Sequence, residues 1–258
     1  MVKIIFFQPH PDDLDIYCLH LLFHLTNQSK YSFEIKIASM TRGEEGVSRK
    51  YKDFKGKRIS KIRTLEFYKA LRIYGIPTKQ IHFFSMIDSN IRFSKNSVEL
   101  VRNYLEKEKP DIIFAPEPRF SYYLRQDHII TGEILYYICD KMLIEKLPKL
   151  YFYAPINPNY YQPFETKGFL LVKKIVNIYK SQYTTFQRYF SIHRFIGLFY
   201  GKKLKGWKYA EGYRRVFFFN EKYKNKKLNF FQRLFQIINF RLSIPISLSL
   251  LIGIILNV

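Results

Sequence analysis

Apolar positions along the first 155 residues follow two alternating rhythms. Short, nearly continuous runs occur at KIIFFQ (3–8), FEIKIASM (33–40), QIHFFS (80–85), DIIFAP (111–116) and KLYFYAP (149–155). Their length and their content of Ile, Phe and Tyr predict strands. Between them, LDIYCLHLLFHLTNQ, RISKIRTLEFYKALRIYG, SVELVRNYLEKEK and DHIITGEILYYICDKMLIEK repeat apolar residues at i, i+3, i+4, the spacing of one helix face. Strands that alternate with helices in this way predict an α/β fold, a mostly parallel sheet flanked by helices. From 156 to 215 the alternation is lost and the chain turns aromatic and basic, with YKSQY and WKYAEGYRR as polar landmarks. This stretch reads as a cap over the sheet that completes a domain of residues 1–215. Residues 216–258 follow as a basic and aromatic segment with an apolar tail.

In open, Rossmann-like α/β sheets, chemistry collects at the carboxyl ends of the strands. Three polar clusters fall there: PHPDD after the first strand, TRGEEG after the second and EPRFSYYLRQDH after the fourth. The first raises a physical problem. Asp12 and Asp13 repel each other and Pro11 bars a helix at that point, so something positive is needed beside them. A hydrolytic zinc site takes three protein ligands and keeps a fourth position open for water. His10 and Asp13 at one strand end, with His128 at another, would supply such a set, and Asp12 would stand beside the open position to take a proton from water. The letters HPDD alone equally fit a proline-turned loop with an Asx cap.

The remaining motifs bear on that choice. PHPDD, TRGEEG, Arg63 with Glu66 in a helix, KPDIIFAPEP leading into QDH, then SQ and AEGYR resemble, in order and spacing, the LmbE-like (PIG-L) family of zinc-dependent de-N-acetylases, over about residues 1–215. The family includes the N-acetylglucosaminyl-phosphatidylinositol, mycothiol-pathway, bacillithiol-pathway and diacetylchitobiose deacetylases. The resemblance implies zinc held by His10, Asp13 and His128, Asp12 as general base, Arg63 beside the substrate sugar and Glu66 supporting the fold. It makes Arg42 and Glu44 part of a pocket wall, where shaping the loop and touching substrate are equally open roles. Asp127 resembles the family's acid that orients a ligand imidazole. Two positions depart from the pattern. Arg125 stands where the family has a histidine that steadies the oxyanion; an arginine can donate hydrogen bonds there but cannot cycle a proton. Leu14 stands where the family commonly has Glu after the Asp pair, and Asp15, one residue late, points elsewhere.

Composition changes the picture less. Lys and Arg number 43 against 21 Asp and Glu, a formal charge of +22. That surplus points to anionic partners, or only to a solvated Lys-rich surface. It is spread along the chain without a recognition motif, so no nucleic acid is expected. Cys18 and Cys139 are too few for a disulfide framework and read as buried thiols of a reducing cytosol. The N-terminal apolar run is too short for a signal peptide, which places the catalytic domain in the cytoplasm. After Arg241 come 17 uncharged residues, LSIPISLSLLIGIILNV, preceded by EKYKNKK and LNFFQRLFQIINFR. Spanning a bilayer takes about 17–25 residues, so this segment reads as a membrane anchor, an interfacial helix or a buried helix. His20 and His24 have ligand spacing but apolar neighbours and read as helix packing. His82 and His193 lack companion ligands, and Tyr183, Phe186, Tyr189, Phe190, Phe195, Phe199 and Tyr200 read as core and cap packing, a sugar platform or the lining of a lipid groove. Gly43 and Gly46 flank no phosphate-loop lysine.

The expectation from residues and resemblance together is a zinc-dependent hydrolase that removes acetate from an N-acetylated amino sugar, N-acetylglucosamine on a lipid or glycoconjugate, met at a membrane surface. The alternatives are a glycan-binding member of the same fold with impaired turnover, motivated by Arg125 and Leu14, and a basic nucleic-acid binder.

Overall fold

The computed structural model describes residues 1–142, 147–183 and 192–218. Five parallel strands occupy the positions read from the sequence: β1 (Val2–Gln8), β2 (Phe33–Ser39), β3 (Ile81–Phe83), β4 (Ile112–Pro116) and β5 (Lys149–Tyr153). Two further strands, β6 (Tyr160–Phe164) and β7 (Tyr209–Arg215), extend the sheet, which runs β3-β2-β1-β4-β5-β7-β6. Of these, β7 lies antiparallel to both β5 and β6. Residues 156–215 therefore widen the sheet as well as adding helices beside it.

β1 explains why its sequence has no polar alternation. Ile4 and Phe6 point into one apolar layer and Ile5 and Phe7 into the other, so both faces of the strand are covered. Helices α1 (Asp13–Tyr17), α2 (Leu19–Asn27) and α3 (Lys57–Tyr74) contribute to the first layer, and α4 (Lys95–Glu108) and α5 (Gln126–Lys141) to the second. Also in the first layer is α6 (Gly168–Val176), through Val172, Ile175 and Val176. A seventh helix, α7 (Ile192–Gly201), adds Tyr200. The helix expected over 14–28 is broken at Cys18, whose φ of −132° is not helical.

That break creates a second helix N-terminus, and the AEGYR motif occupies it. Buried Glu211 accepts hydrogen bonds from the backbone N–H groups of His20 (2.8 Å) and Leu21 (2.9 Å) and from the Tyr213 hydroxyl (2.8 Å). A carboxylate is favoured where a helix leaves its first N–H groups unpaired. Burial nevertheless pushes the Glu211 carboxyl up to about 7 against those three donors. A second buried carboxylate, Glu117 of the APEP motif, is held by Arg214 of β7 at 2.6 and 3.1 Å, which fastens the strand pair β7-β6 to the end of β4.

Cys18 and Cys139 are buried free thiols. The ring of His20 stacks on Phe164 at 3.7 Å and that of His82 on Tyr104 at 4.5 Å, as packing residues do. The side chain of His193, the residues Phe186, Tyr189 and Phe190, and the segment 219–258 with its apolar tail lie outside the described residues. Among the described residues no helix is long and apolar enough to cross a membrane.

Candidate active site

The sheet order reverses on either side of β1, whose neighbours are β2 and β4. Where strand order reverses in such a sheet, the loops leaving the strands diverge and a crevice is expected at their carboxyl ends. β1 delivers His10, Asp12 and Asp13 to it, and α5, after β4, delivers Asp127 and His128 in its first turn. His10, Asp13 and His128 are all buried and offer ligand atoms within 4.8 Å of one another.

The two sides of the His10 ring do different work. Nδ1 lies 3.2 Å from Asp13 Oδ2, while Nε2 lies 3.2 Å from Asp127 Oδ2 and 3.1 Å from Asp88 Oδ1. Burial works to lower the His10 pKa, but Asp13, Asp127 and Asp88 outweigh it and hold the imidazole well above its ordinary value. For Asp13, burial acts to raise the pKa, and His128 and His10 together bring it well below the carboxylate range. His128 Nε2 is 3.1 Å from Asp13 Oδ1 but makes no hydrogen bond, so a buried imidazole nitrogen faces a carboxylate without the alignment that would satisfy it. A cation between them would satisfy that nitrogen.

Charge points the same way. Asp12, Asp13, Asp88 and Asp127 are each buried, and the guanidinium groups beside them are Arg63 and part-buried Arg125. Four buried carboxylates therefore outnumber the two guanidinium groups beside them, an excess of negative charge that a bound cation would offset. A second trio, His10 with Asp88 and Asp127, also has ligand spacing. Its carboxylates are already committed: Asp127 accepts from Ser89 N (2.7 Å) and Ile91 N (3.2 Å), and Asp88 from Glu45 N (2.9 Å) and Gly46 N (3.3 Å). Those N–H groups disfavour a cation on the same oxygens; in the first trio Asp13 Oδ2 likewise accepts from His10 N (2.8 Å), while its Oδ1 faces His128.

Asp12 is fixed by two donors. Arg63 Nη2 donates to its Oδ1 at 2.5 Å and the Tyr183 hydroxyl to its Oδ2 at 3.1 Å. The other Arg63 terminal nitrogen, Nη1, donates to the carbonyls of Gly43 (2.9 Å) and Gly46 (3.3 Å), so one buried arginine ties Asp12 to the loop after β2. Gly43 is required for that contact. Its φ is +71°, and a Cβ there would lie 2.3 Å from the Arg63 guanidinium carbon. Gly43→Ala is therefore expected to destabilise the fold by about 1–3 kcal/mol and to loosen Asp12, read as a lower melting temperature together with lower activity. Glu66, one turn along the same helix, accepts from Ser181 N (3.0 Å) and Ser181 Oγ (2.5 Å), which anchors the segment carrying Tyr183.

The family model for GlcNAc-PI de-N-acetylase (PIG-L) matches residues 5–139, more than half of the chain. The chain belongs to the PIG-L family. It is 24% identical to a diacetylchitobiose deacetylase of Thermococcus kodakarensis over 234 residues, 83% of each protein. It also resembles the solved structure of the N,N'-diacetylchitobiose deacetylase of Pyrococcus horikoshii, with a TM-score of 0.72, 24% identity and 83% of each chain covered. The 4-carboxy-2-hydroxymuconate hydratase of Pseudomonas putida has the same fold, with a TM-score of 0.66 and 17% identity over 84% of this chain and 97% of that one.

Against the PIG-L motifs the remaining positions fall as follows. Arg125 precedes α5; its guanidinium lies 5.7 Å from the centre of the Tyr123 ring, and its buried Nε has no hydrogen-bond partner. Tyr123, and after it Asp13 and Asp12, hold its pKa above the ordinary arginine value against burial. Arg42 stacks on Phe83 at 4.2 Å. Leu14 is in the hydrophobic core, and Asp15 is turned towards the hydroxyls of Tyr74 (2.6 Å) and Tyr179. Asp88 is the site residue that the sequence reading did not single out. It follows β3 in SMIDSN, at a strand carboxyl end like the other clusters, which was the available signal.

Proposed function

We propose that this PIG-L protein is a zinc-dependent hydrolase that removes acetate from an N-acetylated amino sugar, N-acetylglucosamine on a lipid or glycoconjugate. The observation that carries the reading is the buried His10–Asp13–His128 trio with an unsatisfied imidazole nitrogen and Asp12 fixed beside it. His10, Asp13 and His128 would hold the ion, which when bound polarises the acetamide carbonyl and acidifies water.

The chain's own groups carry the proton and the charge. Asp12 takes the proton of the attacking water on Oδ2, the oxygen reached by Tyr183, because Oδ1 is occupied by Arg63. It then returns that proton to the nitrogen as the amide C–N bond breaks, releasing acetate and a free amine. Arg125 donates to the oxyanion and transfers no proton. With the ion bound, Asp127 and Asp88 would accept from His10 Nε2, which leaves Nδ1 as its ligand atom. Arg42 and Arg63 are assigned to the sugar, Arg42 by reaching its hydroxyls and Arg63 through the loop it braces. Arg125→Ala is expected to lower kcat by about 10²–10³-fold, the usual effect of losing one oxyanion donor. Arg125→His is expected to retain more activity than Arg125→Ala. An alanine variant as active as wild type removes Arg125 from the site.

A glycan-binding member without turnover is the second reading, favoured by Arg125 and Leu14; the hydratase on the same fold illustrates that architecture alone does not fix chemistry. Acetate release separates the two. The chain is assayed on free N-acetylglucosamine, diacetylchitobiose and N-acetylglucosamine linked to a lipid. Release from at least one, with the lipid-linked sugar fastest, is expected; binding without release from any supports the second reading.

A further inference from the structure

An open groove of about 690 Å³ lies away from the metal trio, between α2, β6, α6 and the loop before β7. Phe23, Leu170, Leu171 and Trp207 line it, with Lys167 and Lys174 among its charged residues. Leu170 is 73% exposed and Trp207 43%, values far from those of ordinary core residues of these types. α6 explains the exposure. Val172, Ile175 and Val176 take its inner face into the core, while Leu170, Lys173 and Lys174 face outward. Trp207 stands in the sequence KGWK, between exposed Lys205 and Lys208.

Charge selects the occupant. Glu165 is the only acidic residue from 165 to 208, a stretch that carries Lys167, Lys173, Lys174, Lys203, Lys205 and Lys208. A second copy would bring the same basic rim against itself. A surface of anionic phospholipid would instead accept the lysines at its phosphates and the Leu and Trp side chains at the acyl boundary, where an indole with one apolar body and one N–H is well suited. We propose that the groove face formed by α2, α6 and the Trp207 loop docks on an anionic lipid membrane. The same helix, α6, leads into the segment whose Tyr179 reaches the Pro11 carbonyl and whose Tyr183 reaches Asp12, so docking would set the catalytic crevice at a fixed position relative to the lipid surface. This contact is separate from the deacetylase chemistry, and its loss leaves acetate release from a soluble sugar unchanged.

Trp207 is the chain's single tryptophan, so its emission reports on this face in the full-length protein. The protein is titrated with vesicles of phosphatidylcholine containing phosphatidylglycerol, and with vesicles of phosphatidylcholine alone. A blue shift with the anionic vesicles, quenched when the acyl chains carry bromine and absent with phosphatidylcholine, is expected. Leu170→Gln, a change at an exposed position, is expected to weaken vesicle partition by about ten-fold. Protein that sediments with vesicles while its emission stays unchanged overturns the proposal, because the contact then lies elsewhere on the chain. An equal shift with phosphatidylcholine alone, or a shift that grows with protein concentration without lipid, overturns it also, the latter by making the occupant a second copy.

Discussion

Asp12→Asn is expected to retain zinc and lose nearly all hydrolysis. Asparagine matches aspartate in shape and leaves His10, Asp13 and His128 untouched, so metal content measured on the purified variant should equal that of wild type. Its Oδ1 can still accept from Arg63, but the side chain has no carboxylate oxygen to take a proton from water. No other group next to the trio is ready to replace it: Arg125 carries a proton it does not release, and the carboxylates of Asp88 and Asp127 are occupied by backbone N–H groups. General acid–base catalysis is ordinarily worth about 10²–10⁴-fold, and because Asp12 serves both proton transfers the loss should sit at the upper end of that range. Turnover within a few-fold of wild type would mean that the proton takes another route.

His128→Ala is expected to remove the metal itself. A zinc site of this kind has three protein ligands, and His10 with Asp13 alone cannot close it. The variant should emerge with a small fraction of the wild-type zinc and should not recover it at wild-type affinity on titration. The protein should still fold, because His128 lies at the crevice end of α5 and the apolar face of that helix, Ile134, Leu135 and Ile138, packs independently of it. Circular dichroism that matches wild type, together with lost zinc, separates a missing ligand from a missing fold. Full zinc content in the variant would exclude His128 from the ligand set.

The five parallel strands were legible because each is covered on both faces or nearly so, which leaves an apolar run that no helix pattern imitates. β6 and β7 were not. Pro163 interrupts β6, which tolerates it as the last strand of the sheet, and β7 carries Glu211, Arg214 and Arg215 where a buried strand should read apolar. Those charges are compatible with a strand only because Glu211 meets the first N–H groups of α2 and Arg214 meets Glu117, partners 97 residues or more away that no local pattern reveals. The candidate trio was legible from spacing at strand ends, and the structure brings its three residues together. Asp88 was missed although it obeys the same rule, since a lone Asp after a three-residue strand carries no motif. Arg63 was recognisable as a site residue, but its direction was not: only the Gly43 and Gly46 carbonyls turn it onto Asp12. Tyr183 was read among packing aromatics, and its hydroxyl reaches the same carboxylate.

The most direct measurement is a zinc titration of the chelated, full-length protein with acetate release followed at each point, on the N-acetylglucosamine conjugate that it hydrolyses fastest. Acetate release is expected to be absent from the metal-free chain, to rise in proportion to bound zinc and to level off at one zinc per chain, with one free amine appearing for each acetate. Activity that survives chelation, or a fully zinc-loaded chain that releases acetate from none of the conjugates, would contradict the assignment of a zinc-dependent deacetylase.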